Sequence, residues 1–411
     1  MITLTENQEQ AVQEGVNWFL NSSNQIFEIS GAAGTGKSVV LHEIVSRLHL
    51  MDNDILPVAF TGQAAIIMRM KGFSTARTIH STFFHIVKEP VSSNDPFKRY
   101  NTAINRAKYI TKFEPLPVGV YRNKKLIVID EGYMVPDNLK RIIVKHGIKI
   151  LVAGDVNQLP PVGGSPAFLT GYGVHYLTQI MRQEKDNPII YLAERARQGL
   201  PINCGIYGNN VIVIEDNDLS PKMLANFGIV ICGTNRTRDI FNNTVREFLG
   251  YQNLPYPQFN ERVICRENDW DIELDGIALA NGLAGIVSSP YSISSFNQRK
   301  HTFYFNFLPD LLSVPFQQLE VNSEYIVSDY NVRSQIKKDK VDKPWLVPGE
   351  LFEYAYALTT HLSQGGEYPA GIYYEEYLRS DIQNQLNYTG ITRFKQYLVY
   401  CKKTKKYYAF Q

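Results

Sequence analysis

The chain has 411 residues, 44% of them hydrophobic and 20% charged. At roughly 150 residues per domain this is a globular chain of two to three domains, which excludes a single small stapled module and a broadly disordered chain. Its 42 Lys/Arg against 40 Asp/Glu leave a net charge of +2, so any nucleic-acid signal has to be local rather than a global basic field.

The start, MITLTENQEQ, carries Glu6 and Glu9 where a secretory signal needs a basic start and an apolar run, so the mature chain is expected to begin there. The longest uncharged stretch, Leu159 to Met181, is broken by Pro160, Pro161 and Pro166, and no membrane span is expected. Cys204, Cys232, Cys265 and Cys401 form no C-x-x-C pair and no metal-ligand spacing, and read as buried thiols of a reducing cytosol.

In chain order, short β-rich apolar runs are each followed by turn residues and a helical pattern: IFEIS from 26, PVAFT from 57, LIVID from 126, IKILVAGD from 148 and FGIVICGT from 227. The alternation finishes with ALTTHLSQ, AGIYY and QYLVYCK. Strand-then-helix alternation predicts an α/β fold with parallel sheets covered by helices. It restarts near residue 227, so two tandem α/β domains are expected, at 1–180 and 181–411.

Two stretches interrupt the pattern. Phe84 to Lys125 holds nine Lys/Arg and three Asp/Glu, a local charge of +6, interleaved with Phe97, Tyr100, Tyr109, Phe113 and Tyr121. Basic residues that track phosphates and aromatic faces that stack on unpaired bases fit single-stranded nucleic acid. A solvated helix over PFKRYNTAINRAKYITKF with its aromatics packed inward fits the same residues. The second stretch, 259–345, reads as a small β-rich, barrel-like insertion.

Gly31 to Ser38, GAAGTGKS, fits G-x-x-x-x-G-K-[ST] and lies between the strand IFEIS and the helix VVLHEIVSRL, the context a phosphate loop needs. Backbone N–H groups of Gly34, Thr35 and Gly36 would curl around phosphates at a helix N-terminus. Lys37 would neutralise the β and γ phosphates, and Ser38 would hold Mg²⁺. LIVID-Glu131 places Asp130 and Glu131 at the carboxyl end of a strand, where ligands of open α/β sheets sit. Asp130 would reach the same Mg²⁺ while Glu131 orients or deprotonates the attacking water. A third strand ends in LVAGDVNQ, whose Gln158 could touch the γ-phosphate. ATP and Mg²⁺ are thus the expected cofactors.

The order of these motifs resembles superfamily 1 helicases of the branch that holds the RecD-like enzymes and the phage helicase Dda, over nearly the whole chain. LTENQ is similar to the adenine-recognising motif, which would make Gln8 the base reader. AFTGQAA, with Thr61 and Gln63, and TIHS, with Thr78 and His80, resemble the two motifs that line the single-strand path. LTQIMRQ resembles the segment whose arginine, here Arg182, reaches the γ-phosphate. ICGTN (with Asn235), ANGLAGIV, YAYALTTHLSQGGE and YTGITR continue the match. The resemblance implies that Asn235, Thr359 and His361 meet nucleic acid, that Gly365 and Glu367 face nucleotide, and that Arg393 is a second arginine finger. Departures are Gly132-Tyr133-Met134 after Asp130-Glu131, Leu362 in place of a lysine, and Phe394 in place of a small residue.

The resemblance implies two RecA-like domains, a strand-separating pin in the first insertion, and 5′ to 3′ movement on single-stranded DNA. Its expected partners are single-stranded and tailed or forked duplex DNA and a single-strand-binding or replication protein, for a monomer in a bacterial or phage-infected cytoplasm. A P-loop small-molecule kinase would share Lys37, Ser38 and Asp130 but has no use for Arg393 and THLSQ. A nucleic-acid clamp that binds ATP with little unwinding stays open, since Gly132-Tyr133 is atypical.

Overall fold

The computed structural model describes residues 4–90, 109–161, 163–171, 173–181, 186–290, 301–342, 347–378 and 381–404. Arg182, Phe97 and Tyr100 lie outside the described residues, and Tyr109 is described only as part of a strand.

The apolar runs become buried strands of two six-stranded sheets. The first has the order Arg77–Thr78, Ile55–Ala59, Leu126–Asp130, Lys149–Gly154, Ile26–Gly31, Val174–Leu177, every pair parallel. Leu126 to Asp130 is buried throughout because helices cover such a sheet on both faces. The helices Glu6–Asn21 and Lys37–Arg47 pack Ala11, Val12, Trp18, Val40, Leu41 and Ile44 onto Ile29 and Leu151. Each such aliphatic side chain taken from water contributes roughly 1.5–3 kcal/mol. Trp18 also stacks on Phe27, centroids 5.5 Å apart.

The second sheet runs Ala357–Thr359, Ile229–Cys232, Tyr368–Tyr374, Phe394–Lys402, Val211–Glu215, Gly205–Tyr207, parallel except for the last, antiparallel pair. The helix Asn235–Phe248 lays Val245 on a core of Val230, Ile372 and Val399. Both sheets belong to one compact unit formed by residues 1–79, 118–252 and 356–411. They are its first and second lobes.

Residues 80–117 and 253–355 form a second compact unit. It holds a five-stranded antiparallel sheet, in the order Phe316–Asn322, Thr302–Pro309, Ala284–Pro290, Arg262–Cys265, Phe352–Tyr354. It also holds two hairpins, Phe84–Pro90 with Tyr109–Pro115, and Asp269–Leu274 with Ile277–Leu279. The end of the segment that could have been helix, YITKF, is therefore strand, as its β-branched and aromatic residues favour. Phe113 meets Trp270 edge to face at 6.0 Å, so the two stretches that interrupt the α/β pattern touch each other inside this unit.

Among the described residues no helix is long and apolar enough to cross a membrane. Cys232, Cys265 and Cys401 are buried thiols, but Cys204 is exposed. Cys204 lies at an exposed bend just before the edge strand Gly205–Tyr207, so its expected burial does not hold.

Candidate active site

The phosphate loop is braced before any ligand is considered. Thr5 caps the first helix by accepting from the Gln8 backbone N–H, while the Gln8 side-chain oxygen accepts from Thr5 N–H at 2.9 Å. The other end of the same amide donates to Thr35 O at 2.8 Å. A Cβ on Gly36, at φ +79°, would lie 2.3 Å from Gln8 Nε2, so glycine is needed here both for the left-handed turn and for the approach of Gln8. The Lys37 ammonium donates to Gly31 O at 2.7 Å and Ala32 O at 3.2 Å, which holds it against the start of the loop. Ser38 follows in the first turn of the helix.

Asp130 ends its strand almost fully buried, and its Oδ1 accepts from the Glu131 N–H at 2.9 Å. Glu131 itself sits at φ +53°, a left-handed conformation that costs a non-glycine residue on the order of 1 kcal/mol and recurs where a site needs a side chain aimed. Burial raises the Glu131 carboxyl above the usual range; Arg393 and Lys37 pull it down, and the Asp130 charge pushes it further up. Gly132 is explained by the neighbouring strand, since a Cβ there would meet Val152 Cγ1 at 2.2 Å. The departure from the family pattern is thus a close packing of this turn on Lys149–Gly154.

Gln158 is buried, and its Oε1 has no hydrogen-bond partner among the described residues. Asp155, in the same segment, is fully buried and binds Asn157 N and Nδ2 through Oδ1 at 2.9 Å. Its Oδ2 accepts from the Tyr388 hydroxyl at 2.5 Å. Tyr388 belongs to the second lobe and also accepts, at 2.7 Å, from the Ala33 N–H of the phosphate loop. Thr389 Oγ1 accepts from Leu159 N–H, and Gln364 Nε2 donates to Leu159 O.

Arg393, buried, donates to Thr389 O, Gly366 O and Thr392 Oγ1 at 3.1, 3.3 and 3.2 Å. Its positive charge is among the influences that lower the Glu131 carboxyl of the first lobe. Glu367 is held differently from a residue that faces nucleotide alone. Its carboxylate pairs with Lys71 of the first lobe at 3.2 Å and with Lys395 at 3.3 Å.

The sequence and the fold are similar to those of known proteins. A family model described as an AAA domain covers residues 3–215, just over half of the chain. The chain belongs to this AAA domain family. The chain is 28% identical to the ATP-dependent RecD2 DNA helicase of Deinococcus radiodurans over 43% of its own length and 22% of that protein's. It is 30% identical to an uncharacterised protein of Methanocaldococcus jannaschii over 39% of this chain and 13% of that one. The chain therefore spans a quarter or less of the length of these curated relatives. In fold it resembles a Pif1 structure described as unwinding forked double-stranded DNA by two coordinating helicases. The TM-score is 0.56 at 18% identity, with 97% of this chain and 92% of that one covered. A Bacteroides Pif1 bound to single-stranded DNA matches at a TM-score of 0.54 and 17% identity over the same shares.

The family's single-strand residues are distributed unevenly. Thr61 caps the helix Gly62–Met70 through Ala64 N–H, and a Cβ on Gly365 would lie 2.7 Å from its Oγ1. Gln63 is 3% exposed, and its Nε2 has no hydrogen-bond partner among the described residues. Thr78 ends the edge strand of the first sheet. His80, in the second compact unit, stacks on Phe84 at 5.5 Å. Thr359 ends a strand of the second sheet, and its Oγ1 accepts from Leu362 N–H. Burial lowers the His80 and His361 imidazoles below their ordinary value, which favours their neutral form.

Asn235 opens the helix Asn235–Phe248, whose N-cap Thr234 accepts from Thr237 N–H and is itself held by a carboxylate. Glu376 accepts from Gly233 N–H, Thr234 N–H and Thr237 Oγ1 at 2.7, 2.9 and 2.6 Å. Sequence reasoning passed over Lys71, Asp155, Tyr388 and Glu376. Tyr388 and Asp155 stand inside quoted motifs, and their signal was a lone polar group in a segment that packs as core.

Proposed function

We propose that this chain is an ATP-dependent DNA helicase that moves 5′ to 3′ on single-stranded DNA and couples ATP hydrolysis between its two lobes to duplex unwinding. What carries the reading is the direct bonding of the two lobes at the phosphate loop, where Tyr388 of the second lobe, on the helix that leads to Arg393, binds the Ala33 N–H and Asp155 of the first. A hydrolase whose second arginine arrives from a separate sheet changes shape with its nucleotide, and that is how a motor steps.

In this reading Lys37 neutralises the β and γ phosphates, and N–H groups of Gly34, Thr35 and Gly36 line them. Gln8 has a second amide hydrogen with which to read adenine while it braces the loop. Ser38 and Asp130 form an all-oxygen donor pair, the set Mg²⁺ prefers, and would hold that ion with phosphate and water completing its shell. Bound there, Mg²⁺ would offset the charge developing on the phosphates. Glu131 orients the attacking water, Gln158 contacts the γ-phosphate, and Arg182 and Arg393 stabilise the transferring group. Gly365 would let backbone approach nucleotide, and Glu367, engaged by two lysines, ties the lobes together.

Thr61, Gln63, Thr78, His80, Asn235, Thr359 and His361 would form the single-strand path, with tailed or forked duplex as substrate. The Pif1 relatives seen with single-stranded and forked DNA favour this substrate class. The Phe84–Pro90 and Tyr109–Pro115 hairpin would act as the pin. A monomer working in the cytoplasm of a bacterium or phage-infected host, like the Dda-type enzymes, beside a single-strand-binding or replication protein, completes the proposal. ATP turnover measured with and without single-stranded DNA tests it. DNA should stimulate turnover at least about tenfold, and turnover indifferent to DNA would point to another P-loop enzyme.

A further inference from the structure

We propose that Tyr388 is a positioning residue whose hydroxyl competes with a nucleotide phosphate for the Ala33 N–H, so that phosphate arrival moves the helix that leads to Arg393. The inference rests on the reading of Gly31 to Ser38 as the ATP site.

Three observations support it. The Ala33 N–H lies in the phosphate loop and has one hydrogen to give, and here it gives it to Tyr388 Oη at 2.7 Å. A phosphate oxygen held by the neighbouring Gly34, Thr35 and Gly36 N–H groups is charged and a stronger acceptor than a neutral phenol, roughly twice as strong per bond. In this proposal it takes the adjacent Ala33 N–H from the hydroxyl. The Tyr388 ring is 1% exposed, so its oxygen cannot swing aside on its own.

The movement therefore falls on the helix Gln383–Ile391. That helix is packed too tightly to deform locally. A Cβ on Gly390 would sit 2.1 Å from Tyr373 Cε2, and Thr389 on the next position accepts from Leu159 N–H of the first lobe. Arg393 begins two residues past the helix end and is bonded back to Thr389 O. A shift of the helix thus changes the surroundings of the finger directly. Tyr388 also donates to Asp155 Oδ2, which links the same hydroxyl to the segment carrying Gln158.

The test is Tyr388→Phe, which keeps the buried ring and removes the competing acceptor. Losing a competitor should tighten binding of a non-hydrolysable ATP analogue about three- to tenfold, the size of one neutral hydrogen bond, while kcat with single-stranded DNA falls. A residue with a purely structural part would not improve affinity while slowing turnover. Unchanged or weaker analogue binding by a folded Tyr388→Phe protein, alongside loss of binding in Lys37→Ala, overturns the proposal and leaves the ATP site standing. Unaffected binding in Lys37→Ala overturns the ATP site and the proposal with it. If Tyr388→Phe does not fold, 3-fluorotyrosine placed at 388 serves instead. Its fluorine resonance should move when the analogue saturates the protein, and a resonance that stays put overturns the competition.

Discussion

Lys71 and Glu367 join the two lobes through an ion pair of 3.2 Å. Burial pushes the Glu367 carboxyl up, but Lys395 and Lys71 outweigh it and hold the group down at about 2. A carboxylate depressed in the folded state stabilises fully above its unfolded value near 4.5, and the contribution is lost as pH falls toward 2. Glu367→Gln should therefore lower the melting temperature at pH 7, by an amount that reflects less than about 1 kcal/mol because the pair is partly solvated. The difference between the two proteins should persist down to about pH 4.5 and shrink below it. A constant difference through that window would remove the electrostatic explanation.

Glu131 separates binding from chemistry. Glu131→Gln should bind ATP as tightly as the parent and turn over at least about a hundredfold more slowly, the scale of a lost general base. Because burial raises the Glu131 carboxyl, parental turnover should rise with pH through a midpoint above the ordinary carboxylate range. The residual turnover of the glutamine variant should lack that limb. A pH profile shared by both proteins would assign the limb to another group.

Arg393 tests coupling between the lobes. Its guanidinium is buried and bonded within the second lobe, and its charge favours the ionised Glu131 of the first. Arg393→Ala should cut turnover by about a hundredfold or more while nucleotide-free affinity for single-stranded DNA changes less than about threefold. Equal losses in both would indicate a folding defect, which a shifted unfolding transition would reveal.

Phe113, 43% exposed, meets Trp270 edge to face. Phe113→Ala and Trp270→Ala should each slow unwinding of a tailed duplex several-fold and leave DNA-stimulated ATP turnover within about twofold. An aromatic pair of this kind contributes about 0.5–1.5 kcal/mol to holding the hairpin in place. Loss of turnover in either variant would tie the hairpin to the ATP cleft instead.

Most of the two α/β lobes was legible because a strand buried on both faces must be written as a continuous apolar run, as Leu126 to Asp130 is. The phosphate loop and the Asp130-Glu131 pair were legible for a similar reason, since each needs fixed residue types at fixed spacing. The antiparallel hairpins were less so. YITKF offers a period that suits a helix face or a strand, and only its pairing with Phe84–Pro90 decides. Tyr388 and Lys71 were invisible as site residues because their roles come from partners 233 and 296 positions away, Asp155 and Glu367. No local pattern records such a pairing.

The most direct measurement is strand separation of two duplexes that differ only in carrying a 5′ or a 3′ single-stranded tail, with ATP and Mg²⁺ and with Glu131→Gln as control. The 5′-tailed duplex should be unwound by the parent in an ATP-dependent way, the 3′-tailed duplex at least about tenfold more slowly, and neither by Glu131→Gln. Equal rates on both tails, or ATP hydrolysis stimulated by DNA with no strand separation on either, would contradict a 5′ to 3′ helicase.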